Sequence, residues 1–265
     1  MRIEAVGRTD IGMKRQKNED AFFVDNDHHI YIVADGMGGH AAGEQASRTA
    51  VETIIEFMRM ARNDVDITWP GIMDESRPFI ENTLRAAFAL AHKKIVEATQ
   101  ANPEWLGMAT TVVSAVIDPD INTAYIAHVG DSRAYLIRNH RIIQITQDHS
   151  WVNEQIKAGL ITREEARNHR LRNVVTRALG GPQEPLVDIT EEILRPDDIL
   201  ILCTDGLTGP VEDHEILQIV MDHQDDLENA TRALIDRANA LGGPDNITVI
   251  LIACRPNDEV QRPNE

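Results

Sequence analysis

Apolar and polar positions along the 265-residue chain alternate between two periods. Residues 21–24 (AFFV) and 30–34 (IYIVA) are short strand-forming runs joined by the polar turn DNDHH, and they predict a hairpin. From Ala46 the apolar positions fall at Ala50, Val51, Ile54, Ile55 and Met58, the spacing of an amphipathic helix. Beyond Pro70, Gly71 and Pro78 a second helical stripe runs through Ile80, Leu84, Ala87, Phe88, Ala91, Ile95 and Ala98. Then the pattern changes. Residues 110–117, 123–129, 134–137 and 141–146 are β-branched runs separated by short turns, which predicts an antiparallel meander. Residues 151–172 are charged and weakly helical. Strands are expected at 186–189, 199–203 and 247–253, and helices at 213–221 and 226–240. Residues 255–265 read as a polar, disordered tail. With no repeat and no linker, the pattern predicts one domain over 1–254 and a layered α+β sandwich.

Composition narrows the function. The formal charge of −17 argues against binding nucleic acid or an anionic membrane, because both need a basic face. Aromatics are only 4% of the chain, so the core must rest on Ile, Val, Leu, Ala and Met. Cys203 and Cys254 sit in apolar runs and read as core thiols. Neither opens a C-x5-R phosphate loop, since Gly209 and Val260 stand where Arg is required. There is no apolar leader or membrane-length run, so a cytoplasmic protein is expected.

The stretch VADGMGGHAAGE (33–44) carries the candidate chemistry. Its GMGGHA fits a dinucleotide fingerprint, with Glu56 near the position of the ribose-binding acid. Two features oppose that reading. Asp35 would lie beside an anionic pyrophosphate, and the helix leads to a second helix where a parallel strand is needed. Asp25 and Asp27 place a D-x-D pattern after a strand, but His29 departs from the aspartyl-phosphate motif, and Asp and Asn are ordinary turn residues. Asp35 as a metal ligand fits better. Glycine lets the chain turn so that a carboxylate and a main-chain carbonyl face one ion. Asp20, Asp131, Asp205 and Asp245 share this setting at strand ends, and brought together they would repel one another unless cations intervened. Taken singly, each is what a turn requires. An all-oxygen set indicates magnesium or manganese, not structural zinc.

Eight segments, in order, carry a resemblance: GRTDIGMKRQKNEDA (7–21), VADGMGGHAAGE (33–44), GMATT (107–111), AHVGDSRAYL (127–136), TQDHS (146–150), NVVTRALG (173–180), LILCTDGLTG (200–209) and GGPDNITVIL (242–251). The chain resembles the metal-dependent serine/threonine phosphatases of the protein phosphatase 2C type in their bacterial form. Ala109 stands where many relatives carry glycine, and residues 151–172, which correspond to a flap, are divergent. The resemblance implies a four-layer α-β-β-α sandwich of two antiparallel sheets flanked by helix pairs. It implies two Mn2+ or Mg2+ ions: Asp35 bridges them, the Gly36 carbonyl binds one, and Asp205 and Asp245 hold the other. Asp20 supports the pair, partly through water, and Asp131 serves a third site. Arg15 binds the phosphate and His40 protonates the leaving group, while His149 is structural. The expected reaction is hydrolysis of phosphoserine or phosphothreonine by in-line attack of a metal-bridging hydroxide, opposing a bacterial serine/threonine kinase, by a monomer. The alternatives are a catalytically inactive regulatory member, or a phosphatase of anti-anti-sigma regulators.

Overall fold

The computed structural model describes residues 1–38, 42–63, 69–70 and 73–256. In chain order the strands are β1 (Arg2–Asp10), β2 (Asp20–Asp25), β3 (Ile30–Met37), β4 (Ala109–Asp118), β5 (Thr123–Val129), β6 (Arg133–Arg138), β7 (Arg141–Gln144), β8 (Asp188–Ile193), β9 (Ile199–Cys203) and β10 (Ile247–Arg255). The helices are α1 (Ala42–Asn63), α2 (Phe79–Ala101), α3 (Trp151–Lys157), α4 (Arg163–Arg167), α5 (Asp205–Thr208), α6 (Asp213–Asp222) and α7 (Leu227–Ala240). One sheet has the order β1-β10-β9-β6-β7, the other β2-β3-β4-β5-β8. Every strand pair in them is antiparallel.

Three apolar layers hold these elements together. Ile54, Met58, Leu84, Phe88 and Ile95 of α1 and α2 pack on Ile30, Ile32, Val112 and Val116 of the second sheet. Ile216, Val220 and Leu234 of α6 and α7 pack on Tyr135, Ile201, Val249 and Leu251 of the first. Ile3, Tyr31, Val33, Val113, Leu200 and Ile250 fill the space between the sheets. A strand with a helix layer on one face and a sheet on the other must be apolar on both. That is why β4 reads as an unbroken run and is buried at every position but Asp118. The order helices, sheet, sheet, helices is the four-layer α-β-β-α sandwich expected from sequence.

Two strand readings differ, and the weakly helical reading of 151–172 gains detail. Strand β1 is absent from the sequence reading, because its alternation of exposed Arg2 and Glu4 with buried Ile3 and Ala5 has few strongly apolar members. It becomes a strand by pairing along its whole length with β10, from Arg2 opposite Arg255 to Asp10 opposite Ile247. Strand β8 begins two residues later than expected and is half polar, as suits an edge strand. Residues 151–172 form two short helices, α3 capped by Ser150 and α4 by a Thr162–Glu165 capping box. Residues 257–265, most of the expected tail, lie outside the described residues. Both thiols are buried and free. Among the described residues no helix is long and apolar enough to cross a membrane.

Candidate active site

Antiparallel register gathers the acids. Asp20 opens β2 directly across from Asp35 near the end of β3, and Asp35 pairs onward with Thr111 of β4. In the other sheet β9 ends at Cys203, two residues before Asp205, and its neighbour β10 begins two residues after Asp245. Asp131 lies in the turn joining β5 to β6, so it is the link that crosses from one sheet to the other. Their charges act on one another: Asp35 feels Asp20, Asp205, Asp131 and Asp245.

Each of these acids keeps some surface toward solvent, yet most are deep enough for burial to dominate their protonation. Burial, then the Asp20 charge, pushes the Asp35 carboxyl well above the carboxylate range. Asp131 is pushed up to about 8 by burial and then by Asp205. Burial raises Asp20 to about 7, against the lowering effect of hydrogen bonds from Thr248 and Thr204. Asp205 rises to about 6 through burial and Asp245. Acids this crowded hold protons that a divalent cation would displace.

The surrounding bonds fix the cluster. Thr248 Oγ1 and Thr204 Oγ1 both donate to Asp20 Oδ2, at 2.6 and 3.0 Å. Thr110 Oγ1 donates to the Asp35 carbonyl at 2.8 Å. Asn246 ties the 11–19 loop to the start of β10: its Nδ2 donates to the carbonyls of Ile11 and Lys17, and its Oδ1 accepts from Glu19 N. Arg133 grips Asp148 with Nε at 2.9 Å and Nη2 at 2.7 Å, beside Asp131. Thr204, Thr248, Asn246, Arg133 and Asp148 are absent from the sequence reading of the site. All five lie within its recognised segments, and all but Asp148 stand one to three positions from an assigned acid, an adjacency that was the available signal.

Gly36 needs its lack of a side chain. A Cβ there would sit 2.1 Å from the Gly43 carbonyl oxygen and 2.6 Å from that of Glu19, both backbone atoms, while Gly36 N donates to Glu19 O at 3.1 Å. Gly36→Ala is therefore expected to cost about 2–4 kcal/mol of stability, read as a lower urea midpoint with unchanged slope.

Arg15 lies at the rim, half-exposed, with Nη2 donating to Asp245 Oδ2 at 2.6 Å. Asp245 Oδ1 accepts from Asn246 N at 2.8 Å. His40 lies outside the described residues. Asp25 sits at the far end of β2 from Asp20, capping its turn through the amides of Asp27 and His28 and pairing with Arg59, so the D-x-D segment is a turn. Since the next helix in the chain after α1 is α2 and every strand pair among the described residues is antiparallel, the dinucleotide reading is excluded as well. A groove of about 700 Å³ between α1 and β2 is lined by Asp20, Phe22, Phe23 and Ile55 among others.

Divalent cations fit these residues. Asp205 Oδ1 is buried with no hydrogen-bond donor, and its carboxylate lies against that of Asp35, so without a shared proton the two need a cation between them. The donors are all oxygen, as hard cations require.

Comparison with known proteins agrees with this geometry. The family profile described as Protein phosphatase 2C matches residues 9–247. Serine/threonine phosphatase stp of Listeria monocytogenes is 39% identical over 253 residues, covering 94% of this chain and 95% of that protein. The solved structure of serine/threonine phosphatase Stp1 from Staphylococcus aureus has TM-score 0.82 and 34% identity, over 96% of each chain. That of the PstP catalytic domain, in complex with two manganese ions, has TM-score 0.76 and 31% identity over 96% of this chain and 99% of that one. With acids, fold and similarity in agreement over nearly its whole length, the chain belongs to the protein phosphatase 2C family, as a serine/threonine phosphatase of that type.

Proposed function

We propose that this protein removes phosphate from phosphoserine and phosphothreonine side chains of other proteins, using Mn2+ or Mg2+ held by Asp20, Asp35, the Gly36 carbonyl, Asp205 and Asp245, with Asp131 serving a third ion. The observation that carries this reading is the buried, donorless Asp205 Oδ1 inside a cluster of acids that all repel Asp35. Divalent ions bound there would screen the phosphate dianion and acidify a water for in-line attack on phosphorus.

The chain's own residues do the rest. Asp35, at the register point between β2 and β4, has neighbours on every side and suits the bridging position. Arg15 orients the phosphate. One nitrogen of its fork is held by Asp245 and the half-exposed guanidinium has further donors to offer, a geometry a lysine lacks. His40 gives the leaving serine or threonine oxygen its proton, a role assigned from sequence alone. The complete set of acids and Arg15 favours an active enzyme over a regulatory relative that has lost catalysis. The partners are phosphorylated proteins, and a serine/threonine kinase would supply them in the cytoplasm. The catalytic domain is residues 1–254, with 151–172 as the flap.

The test is phosphate release from a phosphothreonine peptide with Mn2+, with and without chelator. Activity is expected only with the metal. Arg15→Ala should raise KM about 10–100-fold, with Arg15→Lys between it and wild type. Full activity in chelator would overturn the reading, and an unchanged KM in Arg15→Ala would remove the arginine from it.

A further inference from the structure

We infer that His149, Asp188 and Arg177 form a positioning relay that holds the Gly130–Asp131 turn, and thereby sets the cation affinity of the site to which Asp131 contributes. The inference rests on the proposed role of Asp131 and extends it to residues that lie outside the carboxylate cluster.

His149 clasps both backbone polar groups of Gly130. Its amide donates to the Gly130 carbonyl at 2.9 Å, and its ring Nδ1 accepts from Gly130 N at 3.1 Å. Gly130 sits at φ +109°, where a side chain is strained, and a Cβ there would lie 2.3 Å from Thr111 Cβ. The clasp holds this strained residue from one side, the buried Thr111–Ser132 hydroxyl bond at 2.7 Å holds the turn from the other, and Asp131 lies between them.

The other ring nitrogen decides whether the clasp works. A neutral imidazole has one N–H and one lone pair. Because Nδ1 receives the Gly130 N–H, Nε2 must carry the proton, and it donates to Asp188 Oδ2 at 3.1 Å; Arg177 Nη1, also a donor, lies 3.2 Å from Nε2 and can only bond the carboxylate beside it. Asp188 is held in turn by Arg177, whose Nη1 donates to Oδ1 at 3.1 Å. His149 O accepts from Thr176 N at 2.8 Å, so the segment that follows residues 151–172 is fastened to the same residue. Buried His128 stacks on the ring at 4.6 Å and donates from Nε2 to Gln147 O at 2.9 Å. The orientation is thus fixed from every side, as outer partners fix a metal-site ligand.

The same atoms could be taken for a metal site, since donor atoms of His128, His149 and Asp188 lie within 4.8 Å of one another. Two features oppose that. Both nitrogens of His149 are already bonded, and the rings are stacked at 17°, so their in-plane lone pairs run side by side and do not converge on one ion. The group is wired to hold a turn.

Asp188→Asn is the discriminating variant, because it is isosteric and its site is 41% exposed. Arg177 can only donate, so it keeps the amide oxygen and turns the NH2 toward Nε2. His149 must then carry its proton on Nδ1, which faces the Gly130 N–H, donor against donor. Nitrogen NMR of the metal-free protein should show His149 protonated at Nε2 in wild type and at Nδ1 in the variant, with the Gly130 amide signal displaced.

Calorimetric titration with Mn2+ should show the weakest binding step of wild type weakened about tenfold in Asp188→Asn, roughly 1.4 kcal/mol. His149→Gln should match that loss. His149→Asn, whose amide oxygen can take the place of Nδ1, should stay within about threefold of wild type. Nδ1 protonation in wild type, or a normal isotherm in Asp188→Asn when Asp131→Asn changes it, would overturn the relay. A normal isotherm in Asp131→Asn itself would instead overturn the role of Asp131, and with it the effect on affinity.

Discussion

Asp35→Asn is expected to lower metal-dependent phosphatase activity at least a thousandfold while making the metal-free protein more stable. The two effects share one cause. Burial, with the repulsion of Asp20, Asp205, Asp131 and Asp245 added to it, holds the Asp35 carboxyl far above the ordinary range. An asparagine occupies the same volume without the charge, relieving the cluster when no cation is bound. It also offers a weaker ligand at the point where β2, β3 and β4 bring the acids together. A thousandfold loss corresponds to about 4 kcal/mol of transition-state stabilisation. The relief of repulsion should raise the melting temperature in chelator by several degrees, on the order of 1–2 kcal/mol for a chain of this size. Steady-state assays at saturating Mn2+ and calorimetry in chelator measure the two halves. A variant that loses activity and stability together would make Asp35 a structural residue, and one that keeps its activity would remove it from the site.

The second large effect is on the pH dependence of the fold. Asp205, Asp20 and Asp131 have folded pKa values of about 6, about 7 and about 8, against an ordinary 3.8. A carboxyl raised on folding binds more protons in the native state than in the unfolded one. Stability therefore falls as pH rises through the interval between the two values. In chelator the melting temperature should drop by about 10 °C between pH 5 and pH 8. Below pH 4 the opposite sign takes over at Asp25, whose carboxyl is held at about 2 by Arg59 and His28 against the effect of its own burial. Mn2+ should remove the loss at high pH, because deprotonated acids are the form that binds it, and a hundredfold excess over Kd adds about 2.7 kcal/mol. Thermal unfolding across this range, with and without Mn2+, gives the answer. A flat profile in chelator would mean that the acids are not crowded in solution as they are in the fold.

Much of this was legible in the residues. The five acids stand at strand ends beside glycines or turns, and the eight ordered segments name the family before any coordinate is known. The unbroken apolar run of β4 and the stripes of α1 and α2 are consequences of local period, and local period survives in the sequence. Asp25 and Asp27 read as turn residues from His29 and from ordinary turn chemistry, and the amides of Asp27 and His28 do bond Asp25.

Other features depend on contacts between distant segments. Strand β1 exists because β10, some 245 positions later, offers it an edge. Asp20 is held by Thr204 and Thr248 from the opposite sheet, and Arg15 by Asp245. No periodicity encodes such pairings, since they follow from strand order across two sheets. His149 is the plainest case. As one histidine in TQDHS it reads as structural, and its spacing says no more. Only the fold shows that one nitrogen faces Gly130 and the other Asp188, which leaves a single tautomer. The sequence by itself determined the chemistry available: carboxylates, an arginine, permissive glycines. The tertiary structure decided which of them meet and how deeply they are buried, because burial and proximity, not residue type, set the charge each acid can carry.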